Sequence, residues 1–263
     1  MTDKLIELER DGGVAWITIN RPKAFNALNL PAMQQLFDIA NRISSDKTVR
    51  CAVLTGAGDK AYCAGGDVAA FASDPDDVQR LLKEMTAYLH NAVSRLAWMD
   101  APLIGMINGV AAGAGLSMAA CTDLAIAAQS ASFTSAYTKI GLTPDGSSTY
   151  FVSRIIGQRR AMELFLTNRV LSAEEALAWG LVNEVVPDDQ LRDTVARLAH
   201  KLASGPTRAH GGVKRLMQMA LNDSMESQLE RETRSIVEMS QTHDGLEGVR
   251  AFVDKRKPDF TGQ

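Results

Sequence analysis

Asp145 is the one acid in the turn sequence Gly141-Leu-Thr-Pro-Asp-Gly-Ser-Ser148, and a run of small residues, Gly109-Val-Ala-Ala-Gly-Ala-Gly-Leu116, precedes it. A strand, a glycine-rich turn and a helix start aim several backbone N–H groups at one point, which suits a developing anion. A carboxylate nearby could then move a proton. A second glycine-bearing tract, Tyr62-Cys-Ala-Gly-Gly-Asp-Val68, also follows a strand. Two such turns from separate strands are what a two-donor oxyanion hole requires. Neither signal is specific alone. Glycines before a helix often serve only close packing, and Pro-Asp-Gly is a good turn in which Asp145 needs no chemical role.

Other reactive side chains lack partners at a recognisable spacing. Ser117, Tyr137 and Cys63 could be nucleophiles, but none has a base placed for it. His90, next to Leu89 on an expected helix, falls at the edge of the apolar face and reads as packed or capped. Lys255-Arg256-Lys257 reads as a solvated face. Gly113-Ala-Gly115 does not fit the dinucleotide fingerprint, and no Gly-Lys-Ser or Gly-Lys-Thr is present, which excludes a phosphate-cradling loop of that kind. Cys51, Cys63 and Cys121 are far apart and without metal spacing, so they read as reduced, buried thiols, and no metal is expected.

These residues need a scaffold, and 263 residues can bury a sizeable core. A hydrophobic share of 46% with 22% charged residues is that of a soluble globular protein, and a net charge of -3 argues against a dedicated binder of nucleic acid or anionic membrane. No apolar run reaches membrane-spanning length. The first residues show neither a signal-peptide core nor a transit pattern, so a reducing cytoplasm is the expected location.

Hydrophobic periodicity predicts strands over 14–19, 49–55, 102–108, 124–128 and 182–186. It predicts a helix beginning at Pro31, a long one over 78–98, an apolar one ending near Ala120, and short ones over 147–156 and 160–166. Ser172-Ala-Glu-Glu175 fits a capping box, with Gly180 as the matching stop. Residues 72–78, rich in Asp, Ser and Pro, read as a solvated loop. From 188 onward three helices are expected, over 188–203, 206–221 and 224–240, with apolar rows including Val213, Met217, Leu229, Ile236 and Val237. The pattern is that of an α/β protein, with 1–187 as core and 188–263 as a helical C-terminal region.

Four blocks carry a resemblance: Asn20-Arg-Pro-Lys-Ala-Phe-Asn-Ala27, Tyr62-Cys-Ala-Gly-Gly-Asp-Val68, Asn108-Gly-Val-Ala-Ala-Gly-Ala-Gly115 and Phe252-Val-Asp-Lys-Arg-Lys257. In order along the chain, they resemble the signature blocks of the crotonase (enoyl-CoA hydratase/isomerase) superfamily. Gly141-Leu-Thr-Pro-Asp-Gly146 and Glu247-Gly-Val-Arg-Ala-Phe252 most resemble the isomerase branch acting on epoxidised or ring-opened phenylacetyl-CoA derivatives. The resemblance implies a crotonase-like spiral of repeated ββα units, a C-terminal trimerisation region, and a homotrimer or dimer of trimers. It implies CoA thioester substrates, with coenzyme A as part of the substrate and no separate cofactor. By position, the amides of Gly66 and Ala114 would form the oxyanion hole, and the adenine pocket would fall around Ala64 and Asp67. Arg21, Lys23, Ala24 and Lys255 would lie near the rest of the CoA.

The sequence also departs from that pattern. Where hydratases of the family carry two glutamates, this chain has Ser117 and Tyr137, and adding water to an enoyl thioester needs both a base and an acid. Asp145 instead falls where isomerase relatives keep their catalytic acid, and one carboxylate suffices to move a double bond. Ser117, Tyr137 and His90 would border the acyl group. The alternatives are a hydratase using atypical residues and an aryl-CoA dehalogenase with Asp145 as nucleophile and His90 as base. A non-catalytic CoA-binding or RNA-binding homologue is the third, and the acidic charge balance and the retained Asp145 speak against it.

Overall fold

The computed structural model describes residues 4–72 and 77–263. The chain opens with an antiparallel hairpin, β1 (Ile6–Asp11) and β2 (Val14–Ile19), followed by α1 (Leu30–Ser45). Asn29 caps α1 by accepting from the Ala32 amide at 3.1 Å, and Pro31 sits in the first turn, where its missing N–H costs nothing.

From there the chain alternates between two sheets. β3 (Cys51–Gly56), β5 (Leu103–Ile107) and β7 (Leu124–Ala128) join the large sheet, whose six strands run in the order β1-β2-β3-β5-β7-β10, with β10 at Glu184–Val186. Each of the first three is followed at once by a three-residue strand of a smaller sheet: β4 (Ala61–Cys63), β6 (Val110–Ala112) and β8 (Ser132–Thr134). With β9 (Leu171–Ser172) they form that sheet in the order β4-β6-β8-β9. This is the spiral of repeated ββα units, one strand to each sheet per turn. β3, β5 and β7 pair in parallel and are buried almost throughout, as strands covered on both faces must be.

Helix α2 (Val68–Ala72) follows β4, and α3 (Val78–Trp98) then runs along α1 with Met85, Leu89, Val93 and Leu96 in the core. α3 has the predicted bounds. Of the loop expected over 72–78, Ala72 ends α2, Val78 begins α3, and 73–76 lie outside the described residues. α4 (Ala114–Ala120) is wholly buried. α5 (Ser148–Ile156) and α6 (Gln158–Thr167) meet at Gly157, and α7 (Ala173–Trp179) carries the predicted capping box and Gly180 stop.

Helix α8 (Leu191–Ala203) lays Leu191, Val195 and Ala199 into the core. α9 (Thr207–Ala220) is pinned by Lys214, which is buried, pairs with Asp123 at 2.8 Å and donates to the carbonyls of Leu96 and Ala101 at 3.3 and 3.1 Å. α10 (Met225–Ser240) buries none of its residues. The apolar rows expected over α9 and α10 are there, but Met217, Leu229, Ile236 and Val237 face outward, more than half exposed.

The sequence reading missed two helices, α2 and α11 (His243–Val253), and the strands β1, β4, β6, β8 and β9. β6, β8 and β9 are too short to show a period of two. Val110–Ala112, read as part of a small-residue run, pairs on both sides. No helix of the described residues is long and apolar enough to cross a membrane, and no cluster of metal-ligating side chains occurs among them.

Candidate active site

β4, β6 and β8 lie side by side and parallel, so the segments leaving their C-terminal ends emerge at one edge of the small sheet. Those segments are 64–66, 113–114 and 135–137. Ligands bind at such carboxyl ends in parallel α/β sheets because the loops there converge. A cavity of about 400 Å³ opens at this edge, lined by Ala64, Gly65, Gly66, Gly113, Ala114, Ala136, Tyr137 and Asp145. Its remaining walls are mostly apolar: Met33 of α1, Leu82, Met85 and Leu89 of α3, and Ile140 and Leu142.

The two glycine turns are in contact. Gly65 has φ +101°, and a Cβ there would lie 2.9 Å from the Ala112 carbonyl oxygen and 3.3 Å from the Ala114 nitrogen, so only glycine allows this approach. Gly115 has no room for a side chain either, because a Cβ would come 2.0 Å from the Cys63 carbonyl oxygen. Residues 65–67 pair with Leu28: its amide donates to Gly65 O at 2.7 Å, and the Asp67 amide donates to Leu28 O at 2.9 Å. Alternation along the strand then turns the Gly66 N–H away from Leu28. Ala114 is the first residue of α4, where an amide has no partner within its helix. Both border the cavity, and among the described residues neither donates to a backbone carbonyl.

Asp145 reaches the cavity from the turn before α5. The Tyr137 hydroxyl donates to its Oδ1 at 2.6 Å, and His90 Nε2 lies 3.4 Å from its Oδ2. The Gly146 amide donates to the same His90 nitrogen at 3.1 Å. Ser117, fully buried on α4, donates to the Asp145 carbonyl oxygen at 2.9 Å and lies 3.2 Å from the Tyr137 oxygen. Burial, and then the adjacent carboxylate, push the Tyr137 phenol well above its ordinary pKa, so the ring stays a neutral donor. Asp145 is the only carboxylate lining this cavity among the described residues.

The structure thus brings Asp145, Gly66, Ala114, Ala64 and Tyr137 to one cavity. Ser117 and His90, expected to border the acyl group, do not line this cavity; each contacts Asp145, Ser117 at its carbonyl oxygen and His90 at Oδ2. The His90 ring, expected to be packed or capped, accepts from the Gly146 amide and faces Asp145 across 55 residues of sequence. Cys63 is buried and its thiol is pushed up to about 12 by that burial, which removes it as a nucleophile.

Arg21 and Asp67, each expected beside bound CoA, pair with each other at 2.9 Å, and Arg21 also donates to the Ala27 carbonyl. Lys23 and Ala24 form the short helix Pro22–Ala24 on the same loop, with Lys23 exposed. Lys255 is exposed beyond the end of α11, and it does not line this cavity. Lys139 does line it and was missed, because a lysine in the turn before Pro-Asp-Gly carries no distinguishing signal.

The family model for enoyl-CoA hydratase/isomerase matches residues 9–263. The chain is 39% identical over 252 residues to the 1,2-epoxyphenylacetyl-CoA isomerase of Escherichia coli (strain K12), covering 95% of this chain and 96% of that one. It is 35% identical over 237 residues to the 4-chlorobenzoyl coenzyme A dehalogenase-2 of an Arthrobacter species, covering 90% and 86%. The crystal structure of an enoyl-CoA hydratase from Bacillus anthracis superposes with a TM-score of 0.93 at 31% identity, over 98% of this chain and 100% of that one. The chain belongs to the enoyl-CoA hydratase/isomerase family, and its fold is that of the crotonases.

Proposed function

We propose that the protein is an acyl-CoA isomerase that moves a double bond, or rearranges an epoxide-type acyl group, through a thioester enolate. The reading rests on one observation: among the described residues Asp145 is the one carboxylate lining the cavity, and the Gly66 and Ala114 amides that border it donate to no backbone carbonyl. The thioester carbonyl oxygen would sit between the N–H groups of Gly66 and Ala114. Loss of an α or γ proton puts negative charge on that oxygen, and each well-placed donor contributes roughly 2.7–4 kcal/mol to the transition state, by analogy with acyl-transfer enzymes. Asp145 takes the proton from one carbon and returns it to another, while the apolar walls exclude water. Hydration would need a second acid or base, and Ser117 and Tyr137 occupy those places.

Coenzyme A would enter as part of the substrate, with no resident cofactor. Lys23 and Ala24, with the Arg21–Asp67 pair and Ala64, would border it, and Lys255 would contribute from the C-terminal block. The 188–263 region would serve self-association, as a homotrimer or dimer of trimers, and the cytoplasm suits the substrate.

Asp145→Asn is expected to lower isomerisation of a 3-enoyl-CoA by several orders of magnitude while leaving CoA-thioester binding nearly intact. Near-normal turnover in that variant would remove the assignment. A second reading, aryl-CoA dehalogenation with Asp145 as nucleophile, draws on the contact between His90 and Asp145. Chloride release from 4-chlorobenzoyl-CoA, lost in Asp145→Asn, would favour it over isomerisation.

A further inference from the structure

We propose that His90 is a positioning residue that lets the proton held by Asp145 exchange with solvent, an inference that rests on the isomerase reading above. The two carboxylate oxygens have different neighbours. Oδ1 accepts from the Tyr137 hydroxyl at 2.6 Å, and behind it Ser117 Oγ lies 3.2 Å from the phenol oxygen. Ser117 is fully buried and donates to a main-chain carbonyl, so the hydrogen-bond chain from Oδ1 ends inside the protein. With Oδ1 already holding the phenol's hydrogen bond, the proton is assigned to Oδ2, whose neighbour is His90 Nε2 at 3.4 Å, on a side chain 48% exposed.

The Gly146 amide assigns the ring's tautomer. It donates to His90 Nε2 at 3.1 Å, and an amide offers only a proton, so Nε2 bears the lone pair and the neutral ring carries its hydrogen on Nδ1. A bare Nε2 forms no hydrogen bond with an ionised Oδ2. Once Oδ2 has taken the substrate's proton, that hydroxyl donates to Nε2, whose lone pair it then shares with the Gly146 amide. The partnership thus arises at the step in which Asp145 is protonated.

Two fates then compete for the proton. It can return to the acyl chain at the other carbon, or the Oδ2–H bond can break as Nε2–H forms, leaving a carboxylate beside an imidazolium. The Gly146 amide favours the ring form with a free Nε2, so the imidazolium gives up its Nε2 proton, to Oδ2 or to water, in preference to the one on Nδ1. A solvent proton taken up at the same nitrogen passes back to Oδ2 and on to carbon. No oxidant or further reactant is needed, and charge balances at each step.

The test is turnover of trans-3-hexenoyl-CoA by the full chain in deuterium oxide, with deuterium per molecule of isomerised product read by mass spectrometry at low conversion. The wild type should place solvent deuterium in its product. His90→Phe should lower the deuterium per turnover several-fold, because the substrate's own proton is then returned. His90→Gln, which keeps a hydrogen-bonding side chain but no transferable proton, should lower it similarly. Imidazole added to His90→Ala should restore the label, a rescue that a purely structural role would not give. Wild-type label per turnover in either His90→Phe or His90→Gln overturns the proposal, as does a wild-type product almost free of solvent deuterium. Absence of isomerisation by the wild type overturns the isomerase reading, and this proposal with it. Turnover with unchanged labelling overturns this one alone.

Discussion

Tyr137 gives the site its most specific side-chain contact, a phenol hydroxyl 2.6 Å from Asp145 Oδ1. A short hydrogen bond to a carboxylate fixes the direction of both oxygens, and here it leaves Oδ2 as the one able to take a proton. Such a bond contributes about 1.5–3 kcal/mol, so Tyr137→Phe is expected to lower kcat by roughly 10- to 100-fold. KM should change little, because the apolar walls that would hold the acyl chain remain. The phenol's raised pKa adds a second expectation. In the pH profile of kcat, no alkaline limb should arise from loss of the Tyr137 proton up to its ordinary value of about 10. An alkaline limb that disappears in Tyr137→Phe would contradict this, as would a variant whose kcat equals that of the wild type.

Short elements carry the geometry. β4, β6 and β8 have three residues each, yet their parallel register sends three loops to one edge and sets the amides of Gly66 and Ala114 beside the same cavity. Long elements were legible in the sequence: α3 has its predicted bounds because Met85, Leu89, Ala92 and Leu96 repeat at helical spacing over about three turns. The three-residue strands were not, since Val110–Ala112 shows no alternation to read. Asp145 could be picked out only as a turn residue with a family resemblance behind it. Its meeting with His90 joins α3 to the turn before α5 across 55 residues, and in the sequence only the dehalogenase alternative of the resemblance had paired the two. The pinning of α9 was equally hidden, since Lys214 looks like any helical lysine in sequence. It is 7% exposed and paired with Asp123, whose carboxyl is pulled up by burial and down by Lys214. Breaking a buried pair from one side costs about 3–5 kcal/mol. Lys214→Met should therefore lower the unfolding free energy by about that amount in urea, a range that follows from the uncompensated Asp123 charge. Lys214→Met combined with Asp123→Asn should recover part of the loss, because the amide oxygen can still accept from Leu103, which donates to Asp123 at 2.7 Å. A double variant no more stable than the single would rule out the charge as the cause.

The whole molecule is asymmetric in how it treats its apolar residues. The core takes β2, β3, β5, β7 and one face each of α1, α3 and α8, whereas α9, α10 and α11 turn Met217, Ile236, Val237, Val249 and Phe252 outward, each more than half exposed. A soluble monomer rarely leaves so many large side chains open on neighbouring helices, and such faces mark contact surfaces. The helices themselves are well formed, with Ser224 and Thr242 capping α10 and α11, so the exposure is not a frayed end. Self-association through this face is the proposed outcome, and it predicts a sedimenting mass that is a multiple of the 28.4 kDa chain at micromolar concentration. Ile236→Asp together with Phe252→Asp would place two charges in a contact that has to be dry, at a cost of several kcal/mol for unpaired ions. That variant should sediment as a single chain while keeping its helical circular dichroism, because neither side chain belongs to the core. A wild type that sediments at the mass of one chain would leave the outward rows without a partner of their own kind. Unchanged association in the double variant would move the contact off α10 and α11.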